Sequence, residues 1–194
     1  MSAPQSEPEI ERICRVADMM CTGHALMRDR YSRLALVLDL LILGVSTWLV
    51  ALTFVEPRIN IRLTPFDFDP QIWIGFLGIG TFFLSVMQLY VSWKEKAGAH
   101  ERALHTYSEI KREAKYILAS NDRSEDALRS LVDRNTAASA ASIGVSDSRF
   151  MHIKKIYKTK VEISRYLDAH PSASITLLRM KLWWRDNISP GGRP

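Results

Sequence analysis

Charge is scarce where a soluble protein of this size would need it. Ile72–Trp93 has no Asp, Glu, Lys or Arg, and Leu34–Phe54 has one, Asp39. At 1.5 Å rise per residue, either run spans the roughly 30 Å hydrocarbon core of a bilayer. Two buried helices of a soluble protein are the alternative, but the remaining sequence is too polar to surround them. Leu34–Phe54 starts far from Met1 and is too long for a signal-peptide core, so it is expected to be retained. Cysteine is scarce too. Cys14 and Cys21 are seven apart, a spacing that matches no zinc or redox motif and suits packing on one helix face. His24, His100 and His105 are too scattered for a metal site. No nucleophile–base arrangement is visible. Gly75-x-x-Gly78-x-Gly80 lies inside an apolar run, where it reads as packing and not as a dinucleotide loop. These absences point to a non-enzyme with no catalytic residues, no metal and no cofactor.

What is present gives a topology. Arg28, Arg30 and Arg33 precede the first run, and Lys94, Lys96, Arg102, Lys111 and Arg112 follow the second. The connector 55–71 carries only Arg58 and Arg62, beside Glu56, Asp67 and Asp69. Basic flanks stay in the cytoplasm, so both termini are expected inside. Trp48, Trp73, Tyr90 and Trp93 lie near the span ends, where interfacial aromatics collect. Pro57, Pro65 and Pro70 forbid a continuous helix through the connector, and 59–63 alternates like a short extended piece.

The polar parts read as helices. Ser6-Glu-Pro-Glu is a helix start, followed by an apolar stripe at Ile10, Ile13, Cys14, Ala17, Met20 and Cys21. Residues 1–32 form the N-terminal cytoplasmic helix. The membrane hairpin is 33–93, with spans 34–54 and 72–93. The second span is expected to run on as a stem through Ala97, His100, Leu104, Tyr107, Ile110, Ala114 and Ile117. Breaks fall at 121–124 and at Gly144. Helices start at Ser124 and Ser146, and the stem with these helices fills 94–170. Ser174 caps a last helix, Ile175–Asn187, within a C-terminal segment 171–194. The fold class is all-α: a multi-pass membrane protein with one two-helix transmembrane hairpin and cytoplasmic N- and C-terminal helices.

The stem also carries a pattern: Lys96-Ala-Gly-Ala-His100-Glu-Arg-Ala103-Leu-His-Thr-Tyr107-Ser-Glu-Ile-Lys-Arg112-Glu113. With the N-terminal helix, the Arg-rich lead-in and the hairpin, it resembles the SLATT family of bacterial two-span effectors. The architecture is similar over roughly residues 10–170, and the specific match covers about 96–113, at His100, Ala103, Tyr107, Arg112 and Glu113. The resemblance implies an inner-membrane effector of anti-phage defence. On triggering by a cytoplasmic sensor or a nucleotide-signalling protein, such effectors oligomerise, open a pore or disrupt the membrane, and abort the infection.

The spans carry a further pattern. Gly78, Thr81, Ser85, Gln88 and Ser92 alternate three and four apart, as do Ser32, Ala35, Asp39, Ile42, Ser46, Leu49 and Thr53. Counted from the cytoplasmic ends, Asp39 is level with Gln88 and Ser46 with Thr81. For Ser46, Thr81 and Ser85, helix packing and the lining of a water path in an oligomer both fit. For Asp39 packing is a poor explanation, because a charge in a span costs roughly 2.5–3.5 kcal/mol near its centre. Asp39, bonded to Gln88, is expected at an inner pore mouth or gate, where a ring of carboxylates favours cations.

From Arg149 onward there are ten Lys/Arg and three Asp/Glu. Arg149, Lys154, Lys155, Lys158 and Lys160 dominate one helix. A solvated face, an anionic lipid surface and a phosphate-rich partner all fit this charge. With no glycine-rich cradle, neither a nucleotide pocket nor nucleic-acid binding is expected. His100 and Tyr107, on one face of the stem, read as a buried polar pair. Glu101, Glu109 and Glu113 are expected to pair along their own helix. The expected partners are the lipid bilayer, further copies of the chain and a cytoplasmic sensor. The alternative function is a non-conducting membrane-anchored scaffold that recruits a soluble partner.

Overall fold

The computed structural model describes residues 3–54, 64–65, 69–120, 124–142 and 147–188. Among them the chain is all-helical and has no strand. Six helices follow in order: α1 (Ala3–Phe54), α2 (Pro70–Val91), α3 (Trp93–Ser120), α4 (Glu125–Ala141), α5 (Asp147–Ala169) and α6 (Ile175–Asn187). The extended piece expected at 59–63 and the break expected at Gly144 lie outside the described residues. Two helices are long and apolar enough to cross a membrane.

Helix boundaries follow local chemistry. α1 begins before the expected Ser6 cap and takes Pro8 into its second turn. That proline withholds one N–H from the carbonyl four residues earlier, a small loss so near a helix end. α1 then runs through Gly23 without a break and into the apolar run. α2 starts cleanly: Asp69 accepts from the Gln71 N–H at 2.8 Å, and Pro70 occupies the first turn. Ser124 caps α4 by accepting from the Ala127 N–H at 3.3 Å. Ser174 precedes α6 but makes no side-chain cap bond; its hydroxyl meets that of Thr176 instead.

The expectation of an unbroken second span and stem fails at one residue. Ser92 adopts φ 51° and ψ 41°, the left-handed region, and separates α2 from α3. Its N–H still reaches the Gln88 carbonyl at 3.4 Å, and its hydroxyl donates to the Leu89 carbonyl at 3.2 Å. Its own carbonyl accepts from the Lys96 N–H at 3.1 Å. Local bonding is kept while the run of right-handed helical residues is interrupted.

The chain divides into two compact units. One is Leu26–Glu101; the other joins Met1–Ala25 to Arg102–Pro194. In the second, Ile10, Ile13 and Ala17 of α1 pack with Tyr107, Ile110, Ala114 and Ile117 of α3 and with Leu131 and Ala138 of α4. The three-and-four spacing on α1 and α3 gives each helix a single apolar face for this core. Gly23 lets α5 approach: a Cβ there would lie 2.9 Å from Ile153 Cδ1. Burying that surface drives the unit together.

One polar junction crosses this core. Asp18 of α1 accepts from Lys111 Nζ of α3 at 2.5 Å and from the Tyr157 hydroxyl of α5 at 3.1 Å. Partial burial works against its charged form, but Lys111 and Tyr157 outweigh it, and the Asp18 pKa falls below the usual carboxylate value. Lys111 is raised by its bond to Asp18. Burial, and then Asp18, push the Tyr157 phenol up. A carboxyl whose folded pKa lies below its unfolded one binds fewer protons when folded. Its stabilising contribution is therefore present above the unfolded pKa, about 3.9, and is lost as pH falls through the folded value. Acid titration of this unit, followed by circular dichroism, is expected to show a stability loss beginning near pH 4 that Asp18→Asn flattens.

Candidate functional site

The unit Leu26–Glu101 is built on the apolar half of α1, all of α2 and the start of α3. Along the apolar run of α1 the buried and half-buried positions are Leu34, Ala35, Leu38, Asp39, Ile42, Val45, Ser46, Leu49 and Leu52. This face meets α2 and α3 in reverse order: Asp39 contacts Gln88, and the earlier Tyr31 stacks on the later His100 at 5.6 Å. The two segments are therefore antiparallel. The outward faces carry large apolar side chains, among them Leu36, Leu40, Leu43, Phe76, Phe82 and Leu89. None of α2 is buried. An apolar surface of this extent marks a contact with a membrane or with other protein.

Asp39 is the polar centre of this unit. Its Oδ1 accepts from Gln88 Nε2 at 2.5 Å, and its Oδ2 lies 2.8 Å from Lys94 Nζ. Depth matching along the two apolar runs puts Asp39 and Gln88 level, and Lys94 lies outside that match. It follows the left-handed Ser92 by two positions. A cavity of about 330 Å³ opens beside the trio, lined also by Ala35, Ser85, Ser92 and Glu95. Asp39 thus lies between one charge partner and one amide, each oxygen engaged. Either contact alone would leave the carboxylate half-satisfied in an apolar setting.

The other stripe residues behave differently. The Thr81 hydroxyl donates to the Leu77 carbonyl at 2.8 Å and the Ser85 hydroxyl to the Thr81 carbonyl at 2.9 Å, both within α2. Thr81 and Ser46 are half-buried, Ser85 exposed. Ser32 and Thr53, at the two ends of the α1 stripe, are exposed as well.

His100 and Tyr107 are both buried. Each takes its own ring from α1: Tyr31 stacks on His100, and His24 stacks on Tyr107 at 5.5 Å. The Tyr107 hydroxyl also lies 3.4 Å from that of Ser139. The seven-residue spacing on α3 recurs between His24 and Tyr31 on α1, and that matching repeat was the available signal. Ala103 is half-buried and Arg112 exposed. Glu113 and Glu109 receive Arg134 of α4, at 2.5 and 3.3 Å, instead of pairing only along α3. Within α3, His105 and Glu109 lie 3.9 Å apart on the same helix. Arg149, Lys154, Lys155, Lys158 and Lys160 are all exposed on α5. Among the described residues no group of His, Cys, Asp and Glu could hold a metal.

No protein-family model, no curated protein and no solved structure matches this chain.

A serine at positive φ pays roughly 1–2 kcal/mol that glycine does not. Ser92→Gly is therefore expected to preserve stability in detergent-solubilised protein or raise it by up to about 1–2 kcal/mol, whereas Ser92→Val, with its branched Cβ, is expected to lower it. Equal melting of the two variants would show that the break does not need the left-handed residue.

Proposed function

We propose that this chain is an effector of the bacterial inner membrane, with α1 and α2 forming a transmembrane hairpin and both termini in the cytoplasm. Several copies assemble, and on a signal from a cytoplasmic sensor they open a conducting path or disrupt the bilayer. The membrane reading is supported by two apolar helices with exposed apolar flanks. The orientation is supported by the excess of Lys and Arg beyond the cytoplasmic ends. The role in anti-phage defence is supported by the resemblance of 96–113 to SLATT effectors.

The observation that carries the gating idea is Asp39 held by both Gln88 and Lys94. In the closed state these partners take up the carboxylate. When the hairpins rearrange, freed carboxylates from several copies line the inner mouth and favour cations. Two helices cannot enclose a pore, so the path requires an oligomer. A latch of about 1 kcal/mol shifts a closed-to-open ratio about fivefold.

A second reading, a non-conducting scaffold, has one observation in its favour. The Thr81 and Ser85 hydroxyls are satisfied inside their own helix and need no water.

Depolarisation of cells producing the protein separates the two. Lys94→Met, which frees the carboxylate, is expected to depolarise cells without the trigger. Asp39→Leu is expected to lower cation current after triggering. Wild-type currents in both variants, with protein still in the membrane fraction, sink the gate. Partner recruitment without any current supports the scaffold.

A further inference from the structure

α6 has two apolar faces. Leu178 is buried and Leu182 half-buried, and this side joins the unit that contains α5. Leu177, Met180, Trp184 and Ile188 lie on the other side. At about 100° per residue they occupy an arc centred about 135° around the helix from Leu178 and Leu182. They are not marginally exposed: Leu177 is 61%, Met180 60% and Trp184 60% accessible. A helix needs one apolar face to join its own fold. The second face is surplus to that need, and it forms a shallow groove with Lys181 and Arg185.

The rim of this face is basic. Lys181 and Arg185 border it on one side, and Arg179 lies beyond Trp183 on the other. Arg185 is anchored from below by Glu162 of α5 at 2.7 Å and by Asp186 at 2.9 Å, and these bonds raise its pKa. Lys181 sits 6.0 Å from the centre of the Tyr166 ring. The helix orientation on α5 is thus tied down while its outer face stays open.

We propose that this outer face of α6 docks on an anionic lipid surface, with Leu177, Met180 and Trp184 in the headgroup–acyl boundary and Arg179 and Lys181 on lipid phosphates. The charge selects the occupant. From Arg149 onward the chain carries ten basic and three acidic residues, so an anionic surface is favoured over a neutral or acidic partner. Tryptophan beside basic side chains is the composition of interfacial helices. The inference rests on the membrane reading above, which supplies the bilayer.

The test uses the full-length chain in vesicles, with Cys14 and Cys21 replaced by alanine. An environment-sensitive fluorophore is placed at Met180→Cys, and in a separate sample at Phe83→Cys. Vesicles are phosphatidylcholine alone or with phosphatidylglycerol, and a lipid-borne nitroxide serves as quencher. The Phe83 label is expected to be quenched in both, which reports the span. The Met180 label is expected to shift to the blue and be quenched only with phosphatidylglycerol. Arg179→Glu with Lys181→Glu is expected to weaken that shift, at about fivefold in partition per unit of basic charge removed. If the Phe83 label is quenched and the Met180 label is not, the docking inference is overturned while the spans stand. If neither is quenched, the membrane reading has failed. A Met180 blue shift without lipid quenching assigns the face to a protein partner and overturns the proposal.

Discussion

A carboxylate in an apolar helix has to be partnered, and much of the unit Leu26–Glu101 answers that demand. Desolvation makes a lone Asp39 expensive, so both of its oxygens must find donors. Gln88 supplies one from the facing helix and Lys94 the other. An uninterrupted α2–α3 helix would carry Lys94 about 9 Å beyond Gln88 along the axis. The left-handed Ser92 between them breaks that continuity, and Lys94 reaches the same carboxylate. A strained residue, a turn and a salt bridge thus form one arrangement around a single charge. The strain is local and modest, roughly 1–2 kcal/mol. An uncompensated carboxylate costs more.

The second unit uses the same logic in a different setting. Its core is apolar, with Asp18 as the polar tie among α1, α3 and α5. A fully apolar junction would tolerate sliding of one helix along another. A carboxylate that must meet both an ammonium and a phenol accepts one register. The stacked rings of His24 and Tyr107 add a further point of alignment between α1 and α3. Both units therefore pair a broad, undirected apolar contact with a few directional ones.

Much of this was readable from residue order. Two long apolar runs, one with a single charge and one with none, become two membrane-length helices, because hydropathy over twenty residues leaves few other conformations. The last helix runs from Ile175 to Asn187 as its apolar pattern and preceding serine indicate. The Asp39–Gln88 contact follows from counting depth inward on antiparallel segments. The Ser92 turn was not readable: a serine on a polar stripe is equally at home inside a helix, and only tertiary demand selects positive φ. Depth counting does not indicate Lys94 either, because it lies six residues past Gln88. Arg134 on Glu109 and Glu113 was missed because near neighbours on one helix offered an apparent answer. Which chain segment satisfies a surface charge is decided by helix packing, and composition does not encode that.

The central claim is that Asp39 is tied energetically to Lys94 across the Ser92 turn. A double-mutant cycle measures this directly: Asp39→Asn, Lys94→Met and the pair, each unfolded in detergent or bilayer. The account predicts a coupling of about 1 kcal/mol, with the second substitution costing little once the first is made. Additive effects, with coupling near zero, would mean that the contact carries no energy and that Asp39 is held by something else.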